Sequence, residues 1–173
     1  MKNTANTETP NAETPVLLRI EGVQTDTDGN TQRSAQEYPA RYMARGDSHL
    51  LRYRADREEA VLCLSRGKAR MQRGGSGGTD MVFDPLAPST DCAYRTPFGT
   101  IPMKVRTRKI VLMGENKRGE EDRTPGLRCR ISYRLIMDGG YEMDCSVTIR
   151  LFPQKEGTRE KETKAPFPGP DGQ

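Results

Sequence analysis

Apolar and polar residues alternate with a period of two in two neighbouring segments near the C-terminal end of the chain. The odd positions from 127 to 137 are Leu, Cys, Ile, Tyr, Leu and Met, and those from 141 to 151 are Tyr, Met, Cys, Val, Ile and Leu. Successive side chains of a β-strand point to opposite faces, whereas a helix repeats every 3.6 residues. The pattern therefore predicts two β-strands, each with one buried face.

The turn between these strands determines how they pair. A two-residue loop would place the two apolar faces on opposite sides of the sheet, whereas a three-residue loop at residues 138–140 keeps them together. We therefore predict that Met137 pairs with Tyr141. The same register places Arg134 opposite Asp144 on the polar face.

Shorter segments of the same kind occupy the chain from residue 16 onward. The predicted strands before the final pair cover residues 16–24, 37–45, 49–54, 60–65, 68–73, 81–83, 92–95 and 100–112. Gly46-Asp47 suits a two-residue hairpin with Tyr42 facing Leu51. The apolar phase of the segment 100–112 switches near Lys109, which indicates a bulge. The glycine-rich run 74–78 predicts a flexible connection.

About ten β segments joined mostly by short turns, with no helical periodicity, predict an all-β fold. The simplest arrangement that leaves no exposed strand edge is a single antiparallel up-and-down β-barrel of about 8–10 strands. We expect residues 15–152 to form this domain. Residues 1–14 and 153–173 are rich in Pro, Gly, Thr and charge without apolar periodicity, which predicts disordered tails.

Two features of the composition favour a cytoplasmic protein without a membrane span. No apolar run follows Met1-Lys2, and nowhere do about 18 consecutive apolar residues occur. The cysteines at 63, 92, 129 and 145 are dispersed without a CxxC pair. The predicted register holds Cys129 and Cys145 too far apart for a disulfide, so we interpret both as small core residues rather than metal ligands.

The stretch Met81-Val82-Phe83, the turn Tyr94-Arg95-Thr96-Pro97-Phe98-Gly99 and the segment Met103-Lys104-Val105-Arg106-Thr107 resemble the YwiB-like family of uncharacterised bacterial proteins. The resemblance spans about residues 16–152. It implies a calycin-like β-barrel, the architecture of lipocalins and fatty-acid-binding proteins. It implies no known activity.

The sequence presents no catalytic constellation. His49 is the one histidine, beside a predicted hairpin turn, and the chain contains no HExxH, GxSxG or Walker motif. The clustered carboxylates, such as Glu120-Glu121-Asp122, fall in predicted turns and loops, where solvated charge is the usual reason for them. We therefore expect a protein that is not an enzyme and has no metal or cofactor.

The barrel interior is the first candidate for function, as a binding site for a small apolar or amphipathic molecule. Methionines at 71, 81, 103, 137 and 143 are predicted to line it. The candidate ligand-binding residues are Tyr94, Arg95, Thr96, Tyr133 and Tyr141. A two-residue turn after Thr96 would point Tyr94 inward, and a three-residue turn would point Arg95 inward as an anchor for a carboxylate. The sequence leaves both alternatives open.

The outer face offers an alternative function, contact with RNA or a protein. Basic residues of three predicted strands share this face: Lys104, Arg106, Arg108, Arg128, Arg130 and Arg150. Barrels that bind nucleic acid usually add exposed aromatic residues for stacking, and none alternates with these side chains. Nucleic-acid binding is thus possible but not favoured, and the oligomeric state is left open.

Overall fold

The structure, a computed structural model, describes residues 13–115 and 126–154. The described residues form ten β-strands and no helix. The strands are β1 (Thr14–Asp26), β2 (Thr31–Arg45), β3 (Ser48–Ala55), β4 (Glu58–Ser65), β5 (Lys68–Arg73), β6 (Thr79–Phe83), β7 (Thr90–Thr96), β8 (Gly99–Glu115), β9 (Gly126–Met137) and β10 (Glu142–Pro153). Most of both predicted tails, residues 1–12 and 155–173, lies outside the described residues.

Each strand pairs antiparallel with its neighbour in the sequence, and β1 pairs with β10 to close a barrel. This confirms the predicted all-β, up-and-down barrel. Closure satisfies the backbone hydrogen-bonding groups that an open sheet would expose at its two edges. Residues 116–125 of the β8–β9 connection lie outside the described part.

The predicted registers are confirmed. Arg134 lies opposite Asp144 in the β9–β10 pair. The N–H of Met137 donates to the carbonyl of Tyr141 at 2.9 Å, which closes the three-residue loop. The register of β8 against β9 shifts between Thr107 and Lys109, where the apolar phase switches in the sequence.

The barrel has two ends that differ in packing. At the first, which we call the packed end, β1 begins, β8 ends and β9 begins, and the β2–β3, β4–β5 and β6–β7 connections lie there. Most inner-face side chains in that half are buried, with exposed fractions of zero for Val16, Phe83 and Ile131. Ile110 and Leu112 near the end of β8 are partly buried exceptions. The opposite end carries the five remaining turns, at residues 27–30, 56–57, 74–78, 97–98 and 138–141. We call it the open end.

The strand β2 is longer than predicted, and its extra residues lie at the open end. It begins at Thr31 rather than Glu37, and residues 31–37 are exposed on both faces. Residues 31–39 pair with β1, whereas pairing with β3 begins only at Ala40. The paired strands β1 and β2 therefore extend at this end beyond the part of β2 that pairs with β3.

Backbone hydrogen bonds join the glycine-rich connection between β5 and β6 to β7. The N–H of Gly77 donates to the Arg95 carbonyl at 2.7 Å, and the N–H of Arg95 donates to the Gly78 carbonyl at 2.9 Å. These bonds extend the β6–β7 pairing into the turn. Its backbone groups are thereby committed to the barrel wall.

Candidate functional site at the open end of the barrel

Apolar side chains on the inner face stay partly exposed at the open end. Four methionines there, at 71, 103, 137 and 143, pack on the core without being fully buried. Tyr94 is 40% exposed, and Ile101 and Tyr141 are each 43% exposed. A soluble domain usually exposes little contiguous apolar surface to water. Exposed apolar surface inside the mouth of a barrel is therefore a candidate binding site.

The turn after β7 resolves which neighbour faces inward. Tyr94 pairs with Ile101 and Thr96 with Gly99, so the turn has two residues. Tyr94 consequently shares the inner face with the buried Cys92, two residues before it. Arg95 lies exposed on the outer face and cannot act as the interior anchor that the sequence left possible.

The other sequence-predicted ligand residues take different places. Tyr141 lies at the open end, beside Met137. Thr96 lies there too, but its hydroxyl group donates to the Gly99 carbonyl and accepts from the Phe98 N–H, so it stabilises the turn. Tyr133 lies deeper and is 6% exposed.

The Tyr133 ring packs edge-on against Phe83, with ring centroids 4.9 Å apart. Burial raises the pKa of the Tyr133 hydroxyl group. Tyr133 thus contributes to the core beneath the mouth rather than to its surface, so only Tyr94 and Tyr141 of the five predicted residues present aromatic surface at the open end.

Arg73, which the sequence analysis missed, is the arginine that the structure places on the inner face at the open end. It pairs with Ala60 on one side and Thr79 on the other, and Ala60 is 2% exposed. The Arg73 side chain is 33% exposed and forms an ion pair with Asp56 in the β3–β4 turn. The inner-face position of Arg73 could have been predicted from the sequence, because the hairpin register that places Met71 on the inner face also places residue 73 there.

Two tyrosines adjoin Arg73. The rings of Tyr38 and Tyr53 lie 4.9 Å apart. Burial raises the pKa of Tyr53 to about 12 and also raises the pKa of Tyr38, while the charge of Arg73 opposes both shifts. Both phenols are therefore protonated at neutral pH, and the Tyr38 hydroxyl donates to Gln36.

Two small residues, Gly22 and Ser34, face each other on the inner side of β1 and β2. Gly22 of β1 pairs with Ser34 of β2, and a Cβ atom on Gly22 would lie 2.9 Å from the Ser34 hydroxyl oxygen. A side chain at position 22 would therefore displace Ser34. Gly22 thus leaves room on the inner face for the Ser34 side chain.

The predicted basic residues do share the outer face of β8, β9 and β10, but half of them are neutralised. Acidic partners lie near Lys104 (Asp91, 2.8 Å), Arg108 (Asp144, 2.6 Å) and Arg150 (Glu21, 3.9 Å). Within residues 13–115 and 126–154, no carboxylate lies within 4.0 Å of Arg106, Arg128 or Arg130.

Asp144 also accepts hydrogen bonds from Arg134, and these are the main reason why its pKa is lowered. Carboxylates and guanidinium groups alternate on this part of the outer face. That is the usual arrangement of a solvated sheet surface.

A depression of about 330 Å³ lies on the outside of the barrel wall along β4 and β5. Cys63 and Arg70 are among its lining residues. Asp80 holds Arg70 through hydrogen bonds of 2.9 and 2.6 Å, which satisfies its charge. The depression therefore offers a ligand little unpaired polarity.

Among the described residues, no group of three or more His, Cys, Asp or Glu side chains is placed to hold a metal ion. Nor does any helix of that part of the chain have the length and apolar character needed to cross a membrane.

The fold places the protein in the class of closed, ten-stranded antiparallel up-and-down β-barrels. The chain belongs to the family described as domain of unknown function DUF1934, whose model matches residues 18–149. The crystal structure of the YwiB protein from Bacillus subtilis is similar, with a TM-score of 0.57 and 23% sequence identity, over 80% of this chain and 92% of that one. No curated protein sequence matches the chain. The predicted family resemblance is confirmed.

Proposed function

We propose that this protein is a non-catalytic binding protein that holds a small, partly apolar molecule at the open end of its barrel. The observation that carries the proposal is the contrast along the inner face. Side chains such as Phe83 are sealed in the packed half, while Met103, Met137 and Tyr94 remain partly exposed at the other end. Methionine and aromatic side chains adapt to varied ligand shapes.

The burial of apolar surface at the open end would contribute a modest binding free energy. Removing about 200 Å² of apolar surface from water would contribute on the order of 5 kcal/mol at about 25 cal/mol per Å². Taken alone, that corresponds to a dissociation constant in the hundreds of micromolar. Polar contacts would have to supply the remaining affinity and the specificity.

A reducing compartment suits this protein, and we propose that it acts in the cytoplasm. All four cysteines are free, and Cys92, Cys129 and Cys145 are buried too far inside the barrel to cross-link to other chains. Burial raises the pKa of each of these three thiols, which protects them from oxidation.

A neutral, apolar fluorescent probe, N-phenyl-1-naphthylamine, tests the proposal. We expect saturable binding with one probe per chain. Met103 and Met137 are cross-strand partners at the open end, so the double substitution Met103→Gln with Met137→Gln should weaken binding about tenfold. Met113→Gln is the matched control, because Met113 is 49% exposed and pairs with Arg128 on the outer face.

Non-saturable binding, or equal weakening by the control variant, would reject the open end as a site. Native mass spectrometry of protein purified gently from its own host provides an independent test. A reproducible small-molecule adduct that is lost on denaturation would support the proposal and give the ligand mass.

A further inference from the structure

Arg73 occupies the centre of a row of inner-face residues around the open end. Cross-strand pairing runs from Tyr53 to Ala60, then to Arg73, Thr79 and Tyr94. A guanidinium group on the inner wall of a barrel costs free energy unless an acidic group or a ligand compensates it. The acidic partner of Arg73 therefore indicates whether a ligand could take its place.

The partner of Arg73 is a weakly held carboxylate. Asp56 lies in the two-residue β3–β4 turn, and its side chain is 85% exposed, against 33% for Arg73. An ion pair with one partner so exposed contributes little to stability, because solvent screens it. Asp56 can thus be replaced by the anionic group of a ligand at small cost.

Hydroxyl groups and apolar surface adjoin this cation on different sides. The protonated Tyr53 lies on one side together with Tyr38, whose own hydroxyl donates to Gln36. The Thr79 side chain shares the inner face on the next strand. Partly exposed methionines, among them Met71 and Met103, line the mouth beyond them. A polar anchor and an apolar wall are thus combined in one mouth.

We infer that the open end binds amphipathic molecules with one anionic head group. Arg73 donates hydrogen bonds to the head group, and the partly exposed methionines of the mouth contact the apolar body. This inference rests on the proposed function and specifies its ligand class. A carboxylate or sulfonate group matches the planar fork of a guanidinium, which can donate two parallel hydrogen bonds.

Other carboxylates near the mouth do not compete for the site. Asp26 accepts hydrogen bonds from the side-chain amide of Asn30 and from the backbone N–H groups of Asn30 and Asp28 within the β1–β2 turn, which lowers its pKa. The Glu58 carboxylate lies against Gly75, where a Cβ atom would overlap it. Neither lies within 4.0 Å of Arg73, for which Asp56 is the acidic partner among the described residues.

Two probes with nearly the same aromatic body test the inference: anionic 8-anilinonaphthalene-1-sulfonate and neutral N-phenyl-1-naphthylamine. At about 150 mM salt, which screens exposed charges, Arg73→Gln should weaken sulfonate binding about tenfold and leave neutral binding unchanged. Arg73→Lys should restore part of the loss, because it keeps the charge without the fork. Arg95→Gln is the control, since Arg95 lies at the same end on the outer face.

Asp56→Asn separates ligand anchoring from a purely structural role. Asn tolerates the left-handed backbone of position 56, where φ is 50°. If Arg73 anchors a ligand, removing the competing carboxylate should strengthen sulfonate binding several-fold. If the ion pair only holds the turn to β5, Asp56→Asn and Arg73→Gln should lower stability alike and leave the ratio of the two probe affinities unchanged, which would overturn the inference.

Competition with single-chain amphiphiles completes the test. Decanoate should displace the sulfonate probe from the unmodified protein at far lower concentration than decan-1-ol does, and this preference should vanish in Arg73→Gln. Equal displacement by both would overturn the inference while leaving the proposed apolar site intact. Failure of both fluorescent probes to bind would instead reject the proposed function itself.

Discussion

The two halves of the barrel are built from the same ten strands but from different side chains. Inner-face residues near the packed end are mostly branched aliphatics, such as Leu18, Leu62 and Ile149, each with no exposed surface. Partly exposed inner-face residues near the open end include Met137 and Met143. Branched side chains lock into defined rotamers, whereas methionine adapts.

Because of this difference, the packed half can stabilise the fold while the open half of the same sheet binds a ligand. Closure of the sheet supplies the backbone hydrogen bonds of both halves, so each half can be specialised through its side chains alone. The packed half provides buried apolar surface, which stabilises the folded state. The open half can then keep apolar surface exposed at the mouth without loss of the fold.

Thiol reactivity should show the largest difference between buried and exposed positions. Cys129 in the packed half has no exposed surface, and burial raises its pKa to about 11, whereas Cys63 is exposed on the outer face. At pH 8 only about one Cys129 in a thousand would be a thiolate even if reagent could reach it. We expect Cys63 to react with 5,5′-dithiobis(2-nitrobenzoate) at least about 1,000-fold faster than Cys129.

The variant Cys63→Ser should abolish the fast phase of this reaction. Cys92 and Cys145 are each 6% exposed and should react at intermediate rates. Peptide mapping of the modified protein assigns each phase to its thiol. Modification of Cys129 as fast as that of Cys92 would contradict a sealed packed half.

Truncation of a core side chain should cost more free energy of unfolding in the packed half. Phe83 is fully buried and packs edge-on against Tyr133, so Phe83→Ala should lower the free energy of unfolding by about 3–5 kcal/mol. Met103→Ala removes a partly exposed side chain and should cost only about 1 kcal/mol. Urea unfolding followed by circular dichroism measures both, and equal losses would mean that the two ends are packed alike.

Much of this architecture could be predicted from the sequence, for a physical reason. Where one face of a strand is buried, a one-residue slip would expose its whole apolar set, so the pattern specifies the register. That is why Arg134 could be placed opposite Asp144 and the bulge near Lys109 could be located. Residues 31–36 of β2 escaped prediction because both faces are exposed there and no alternation marks them.

The candidate site was harder to predict because it lies where the pattern weakens. Arg95 and Tyr94 were interchangeable candidates until the length of one turn was known. Arg73 is a charged residue in an inner-face position, and a pattern search tends to assign charge to the outside. Its ion pair with Asp56 joins elements that are separated by a whole hairpin, a contact that sequence alone does not reveal.

The smallest expected effect is a pH dependence confined to the packed end. His49 is near the start of β3, and its Nδ1 atom lies 2.8 Å from the Tyr42 hydroxyl oxygen. Burial lowers the pKa of His49, partly opposed by the charge of Asp47. The folded protein therefore binds fewer protons at this residue than the unfolded chain does, so its contribution to stability is complete above the unfolded pKa of about 6.5 and declines as the pH falls.

Since the chain contains a single histidine, the unfolding free energy should decrease slightly from pH 7.5 to 5.5, and His49→Gln should remove that slope. Urea unfolding at the two pH values measures the effect. Binding of the sulfonate probe at the open end should not change over the same interval, because Arg73 and the sulfonate both keep their charge. A parallel loss of binding and stability would show that the two ends are coupled, and would contradict the division of the barrel into a stabilising half and a binding half.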